Sequence, residues 1–122
     1  MPRLLESVCM KFKRIPAVLL LTLFFQGATV AATDQQFAAI KRLGELNGVA
    51  LHCRYLEQTQ KMKRVLVMTL PKRRQLGELF DIETNTSFMS FMAAQATCPD
   101  VHTFKKQVDT AMQQLETVFS KP

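Results

Sequence analysis

Residues 33–53, TDQQFAAIKRLGELNGVALHC, decide the fold class. Thr33-Asp34 forms an N-cap, because short oxygen-bearing side chains accept the amide hydrogens that a first helical turn leaves unpaired. Behind it Phe37, Ile40, Leu43, Leu46, Ala50 and Cys53 recur at spacings of three and four, which gathers them on one helix face and would scatter them over both faces of a strand. The spacing predicts an amphipathic helix reaching the late 50s. Asn47-Gly48 interrupts it, either as a kink or as a break into two helices. Gly44 and Gly48 stand one turn apart and either mark a flat face where another helix packs closely or are simply tolerated.

The same periodicity runs on to the C-terminus, with no alternating apolar run long enough for a strand. Residues 61–70 place Met62, Val65, Leu66 and Thr69 on one side and stop at Pro71, which disfavours a helical conformation in the residue before it. Pro71 suits the first turn of a short helix striped by Leu76, Leu79 and Phe80. Residues 81–87, rich in Asn and Thr, read as a connection, with Thr86 or Ser87 capping a further helix through Phe88, Met89, Phe91, Met92 and Ala96. Thr97-Cys98-Pro99-Asp100 closes that helix and opens the last, with Pro99 and Asp100 in its first turn. Val101, Phe104, Val108, Ala111, Leu115 and Val118 then form its apolar stripe. The expected fold is all-α: one compact, disulfide-stapled bundle of four to five short helices over residues 33–122.

Upstream, Lys11, Lys13 and Arg14 precede an apolar run, residues 17–25, and Gln26-Gly27 breaks it ahead of Val30-Ala31-Ala32, whose small side chains suit a signal peptidase. The run is about half of the roughly 20 apolar residues that a spanning helix needs. Residues 1–32 therefore read as a cleaved secretory signal, with translation starting at Met1 or Met10, and the mature protein as periplasmic or secreted, without stable membrane insertion. Cleavage near Ala32 discards Cys9 and leaves the even pair Cys53 and Cys98 in a compartment that oxidises thiols, so the two are expected to form a disulfide. A metal or redox site is the sharper alternative, since His52 adjoins Cys53 and His102 follows Cys98 by four. The chain offers no Cys-x-x-Cys pair for it, and on a helix His52 points away from Cys53.

The charge balance excludes more than it selects. Of the formal +6, residues 33–122 keep only +3, from 12 Lys and Arg against 9 Asp and Glu. No set of base-stacking aromatics accompanies the cations, so no nucleic-acid partner is expected. Lys61, Lys63, Arg64, Lys72, Arg73 and Arg74 nevertheless form a cluster of six cations, with no acidic residue from Gln58 to Gly77. The cluster is either a solvated face or a surface for an acidic partner, an anionic lipid surface, a cell-wall polymer or nucleic acid. Lys72, Arg73 and Arg74 sit well at the end of the preceding helix and badly at the start of the next, where the helix dipole disfavours cations.

Five methionines remain after residue 32, Met62, Met68, Met89, Met92 and Met112, beside Phe88 and Phe91. Flexible apolar side chains of this kind either fill the core of a chain without tryptophan or line a groove that receives a partner helix. Catalysis finds no nucleophile elbow, no His-x-x-x-His pair and no glycine-rich phosphate loop. No enzyme, cofactor or metal is expected. Glu78, Asp81 and Glu83 near one connection are read as solvated.

At Cys53-x-Tyr55, followed by Lys63-Arg64-Val65-Leu66-Val67 and by Cys98 ahead of a terminal helix, the chain resembles the periplasmic pilotin-like helical family that assists the secretin of type II secretion. The resemblance implies a small helical bundle with one disulfide, and a groove that grips a short amphipathic helix of an outer-membrane channel protein. The chain departs from that pattern in having no lipidation cysteine after its apolar run. The combined expectation is a non-catalytic accessory protein of envelope or secretion-system assembly. It would bind a segment of another envelope or secreted protein through an apolar cleft, carried by Phe88, Met89 and Met92, with a basic rim carried by Lys61, Lys63, Arg64, Lys72, Arg73 and Arg74. The alternative is a periplasmic stress chaperone or a toxin-immunity protein, for which residues 81–87 are the only protruding loop on offer.

Overall fold

The computed structural model describes residues 31–120; apart from Ala31 and Ala32, the expected leader lies outside the described residues. Four α-helices and no strand occur among them: α1 Asp34–His52, α2 Leu56–Thr69, α3 Arg74–Ala93 and α4 Val101–Ser120. None is long and apolar enough to cross a membrane.

The entry to α1 is a reciprocal capping box. Thr33 Oγ1 accepts the Gln36 amide hydrogen at 3.1 Å, and Gln36 Oε1 accepts that of Thr33 at 2.8 Å. Gln36 Nε2 also donates to the Val118 carbonyl, tying the start of α1 to the end of α4. The helix continues without a break through Asn47-Gly48 and ends at His52, short of the late 50s. It is stopped by Arg54, which adopts φ 60° while its amide hydrogen-bonds Leu51 and that of Tyr55 bonds Ala50. This is the paired capping of a Schellman motif, built without the usual glycine.

The same device ends α3. Gln95 has φ 49°, with its amide bonded to Met92 and the Ala96 amide to Phe91. A non-glycine residue in this region costs about 1 kcal/mol. Gln95 is exposed, so Gln95→Gly is expected to raise stability by about half to one kcal/mol, read as a higher urea midpoint with an unchanged slope.

Two expected breaks move. Leu70 is extended, as a residue before proline should be, but α3 begins at Arg74, so Pro71 lies in the link and opens no helix. Residues 81–87 are no connection and Thr86 and Ser87 cap nothing, because all of them lie inside the 20-residue α3. Two of their polar side chains are used in packing: Thr84 is buried against α1, where its Oγ1 accepts from Asn47 Nδ2 at 3.2 Å, and Ser87 Oγ donates to the Glu45 carbonyl at 2.6 Å. Asp100 precedes α4 as its cap, Oδ2 accepting from the amides of His102 and Thr103. Val101, expected in the α4 stripe, is exposed.

α1 is the centre of the bundle. It buries residues on several sides and packs against all three other helices, whereas α3 packs substantially on α1 alone. Ile40, Leu43, Met62, Phe104, Val108 and Leu115 form the fully buried core between α1, α2 and α4, and α3 adds Leu76 and Phe80. Contacts fix the directions. Gly44 lies against Phe80 and Thr84, Gly48 against Thr84 and Phe88, and His52 against Phe88 and Phe91, so α1 and α3 run parallel. Gln36 meets Val118 while Tyr55, just past the other end of α1, meets Phe104, so α4 runs antiparallel to α1.

Gly44 and Gly48 thus mark a close helix contact. A Cβ at Gly48 would stand 2.6 Å from the Thr84 carbonyl oxygen and from Ser87 Cβ, and one at Gly44 2.7 Å from Glu83 Cβ. The sulfurs of Cys53 and Cys98 are joined in a disulfide, with Cα atoms 5.8 Å apart across a sequence separation of 45. The bridge clamps the end of α1 to the segment that leads into α4. Tyr55 Oη adds a second tie at the same place by donating to the Pro99 carbonyl at 2.6 Å.

Candidate functional site

Because α3 leans on α1 rather than on α4, the space between α3 and α4 is left open. The result is a groove of about 650 Å³, floored by Leu46 and Val49 of α1, with Phe91 of α3 and Phe104 of α4 on its walls. Its mouth is polar and of mixed charge, with Arg42, Glu45, Glu83, Ser87, Ser90 and Gln107. One end is closed by the 94–100 segment, through Ala94, Ala96, Thr97 and Pro99. The disulfide and the Tyr55 hydrogen bond hold that segment in place, so the staple that stabilises the bundle also fixes the groove.

The residues expected to line a cleft are divided by the structure. Phe88 turns its ring to His52, 5.6 Å between centroids, and is half-buried between α1 and α3. Met89 and Met92 are 57% and 46% exposed and lie outside the groove lining. Phe91 joins both features, since its ring lies tilted against His52, 5.0 Å between centroids, and lines the groove. The methionines split likewise: Met62 is core, Met112 packs against the core, and Met68, Met89 and Met92 are exposed.

The basic residues form no rim to this groove. Residues 81–87 being helical, α3 is one rod with Arg74 at one end and Phe88 about 21 Å along it at 1.5 Å per residue. Lys61, Lys63 and Arg64 lie on α2, and Lys72, Arg73 and Arg74 on the elbow into α3, where they border a separate shallow depression of about 300 Å³ with Leu66, Leu70 and Pro71. Lys61 pairs with Glu57 at 3.3 Å and Arg74 with Glu78 at 3.0 Å. Both are exposed helical pairs of the kind worth only a few tenths of a kcal/mol. The start of α3 has no side-chain cap, and no acidic residue sits in its first turn.

Sequence reasoning missed Leu46, Val49, Ser90 and Phe104 as groove residues. Leu46 and Phe104 read as ordinary positions of an apolar stripe, Val49 falls outside that stripe, and only the choice of packing partner for α3 leaves an opening beside them. Comparison with protein-family models, with curated proteins and with solved structures finds no match to this chain. Shape and chemistry alone must carry the functional reading.

Proposed function

We propose that the chain is a non-catalytic accessory protein of an oxidising compartment, periplasmic or secreted, that holds a short amphipathic segment of another envelope or secreted protein in the groove between α3 and α4. The observation that carries this reading is the open, apolar-floored groove itself. From Arg42 to Val49 its floor runs about 10 Å at 1.5 Å per residue, which matches two turns of a helix. Such a guest would set its apolar side chains on the part-exposed Val49 and Phe91, over a floor in which Leu46 and Phe104 are themselves buried, and leave its polar side to Ser87, Ser90 and Gln107. The charges at the mouth are paired within the protein, Arg42 with Glu45 at 3.3 Å and Glu83 with Lys41 at 3.8 Å, so apolar contact rather than charge would carry the affinity. The leader-like residues 1–32 and the disulfide support the compartment. Residues 81–87, the loop an inhibitor would present, are helical within α3.

A photo-crosslinking residue at Ser90, exposed on the groove wall, tests the proposal against the same residue at Gln60 on α2. Ser90 should capture one defined protein segment and Gln60 should not. A peptide of that segment should then bind the purified protein, and Ser90→Arg should weaken it at least tenfold by filling the groove, with an unchanged helical spectrum. Met92→Asp, at an exposed position outside the groove, should leave both fold and binding intact. Peptide binding that ignores Ser90→Arg would end the groove reading.

A further inference from the structure

We propose that the outer face of α2, with the elbow that follows it, is a peripheral contact site for the anionic phospholipids of a membrane surface. At 100° per residue, Gln60, Lys63, Arg64, Val67 and Met68 fall on one side of α2, opposite the buried Gln58, Thr59, Met62 and Leu66. Val67 and Met68 are 79% and 80% exposed, more than any other large apolar side chain among the described residues. Each follows a cation by one helical turn, Val67 after Lys63 and Met68 after Arg64, so apolar and basic side chains stand side by side. Among the described residues Lys63, Arg64 and Lys72 form no ion pair, and no carboxylate occurs between Glu57 and Glu78 to neutralise them. The elbow depression sets Leu66, Leu70 and Pro71 beside Lys72 in the same apolar-and-basic combination.

A bilayer suits this surface better than a folded acidic protein does. Val67 and Met68 project from the convex side of a helix, where a protein receptor would need a matching hollow, whereas the headgroup layer yields around protruding apolar groups. Insertion of the two tips to the depth of the acyl boundary would leave the flanking lysine and arginine heads level with the phosphates, to which their long stems can reach. Net charge would not produce this attraction, because residues 33–122 carry only +3; the local grouping does. Each basic residue near an anionic surface strengthens binding about fivefold, so three give reversible, salt-sensitive attachment. No residue of α2 lines the groove, so a membrane and a bound segment can be held at once.

Co-sedimentation tests the site, using the oxidised protein recovered from the producing cell with its start fixed by intact mass. It is mixed with vesicles of phosphatidylcholine alone or of phosphatidylcholine and phosphatidylglycerol in equal parts. Binding should strongly favour the anionic vesicles and fall steeply with added salt. Lys63→Gln with Arg64→Gln should weaken it roughly 25-fold. Val67→Ser with Met68→Ser should weaken it on the order of tenfold. Both pairs are solvent-exposed, and the melting temperature should not move. Equal affinity for the two vesicle types would overturn the proposal. So would loss of binding in the charge variant alone, with soluble poly-glutamate bound as tightly as anionic vesicles, because the face would then be reading an acidic protein segment.

Discussion

Cys53→Ser is expected to lower the stability of the bundle by about 4 kcal/mol, the chain-entropy value for a loop of this length. For a domain of this size that is a drop in melting temperature on the order of 20 °C. Three features concentrate the effect. The bridge closes a sequence separation of 45, spanning α2 and α3 entirely. It acts where α3 has just ended and α4 has not begun, on a segment of exposed residues with little packing of its own. Among the described residues, the Tyr55 hydrogen bond to Pro99 is the one other polar contact that ties residues 94–100 to the end of α1. Without the bridge those residues are free to leave the groove end, so guest binding should weaken by more than the residual folded fraction accounts for. Thermal unfolding followed by circular dichroism, with and without dithiothreitol, measures the first effect. An unchanged curve on reduction would mean that packing alone fixes the junction. The double variant Cys53→Ser, Cys98→Ser should match the reduced protein, which separates loss of the bridge from any disturbance caused by a single free thiol.

Helical identity was legible because periodicity at three and four is a property of the chain itself. The stripe Phe104, Val108, Ala111 and Leu115 is buried as its spacing requires, and so are Ile40, Leu43, Leu46 and Ala50. The ends were harder to read for a specific reason. Both α1 and α3 stop at a left-handed residue that is neither glycine nor asparagine, Arg54 and Gln95, so the usual stop signal was missing and α1 was expected to run too long. Residues 81–87 failed in the opposite sense. Asn, Thr and Ser favour turns because their side chains compete for backbone hydrogen bonds. In α3 two of those groups are engaged across a helix contact instead, Thr84 by Asn47 and Ser87 by the Glu45 carbonyl, while Asn85 and Thr86 are exposed.

With a turn at residues 81–87 the cation cluster and the Phe88–Met92 face could fold onto one another as cleft and rim; with a continuous helix they are held apart at opposite ends of a rod. The groove itself could not be read from composition. It is the gap left when α3 docks on one neighbour only, and the side chains around it, Leu46 and Phe104 among them, carry the same apolar signature as any core residue. The pair Gly44 and Gly48 signals half of it, a face where another helix packs closely, but not that this helix is α3 or that a gap remains beside α4.

Gly48→Ala should accordingly be among the most damaging single-methyl additions the bundle can receive, costing about 1–3 kcal/mol or more. The added Cβ would lie 2.6 Å from the Thr84 carbonyl oxygen, 2.6 Å from Ser87 Cβ and 2.7 Å from the Phe88 nitrogen. Two of those atoms are backbone of α3 and have no rotamer to escape into, so the whole helix must move away. Retreat would break the Asn47–Thr84 and Ser87–Glu45 hydrogen bonds together and draw Phe80 out of the core. It would also shift the groove wall that carries Phe91. Gly44→Ala meets Glu83 Cβ at 2.7 Å and the Phe80 carbonyl at 3.0 Å, so it should be milder. Gly77 supplies the control within α3, because a Cβ there meets nothing within 4 Å. Gly77→Ala should therefore stabilise the protein by about 0.5–1 kcal/mol, the helix-propensity gain with no steric charge against it. Urea unfolding of the three variants reads the series directly. If Gly48→Ala and Gly77→Ala shift the midpoint in the same direction, backbone-to-backbone contact between α1 and α3 is not what seats α3, and the origin assigned to the groove falls with it.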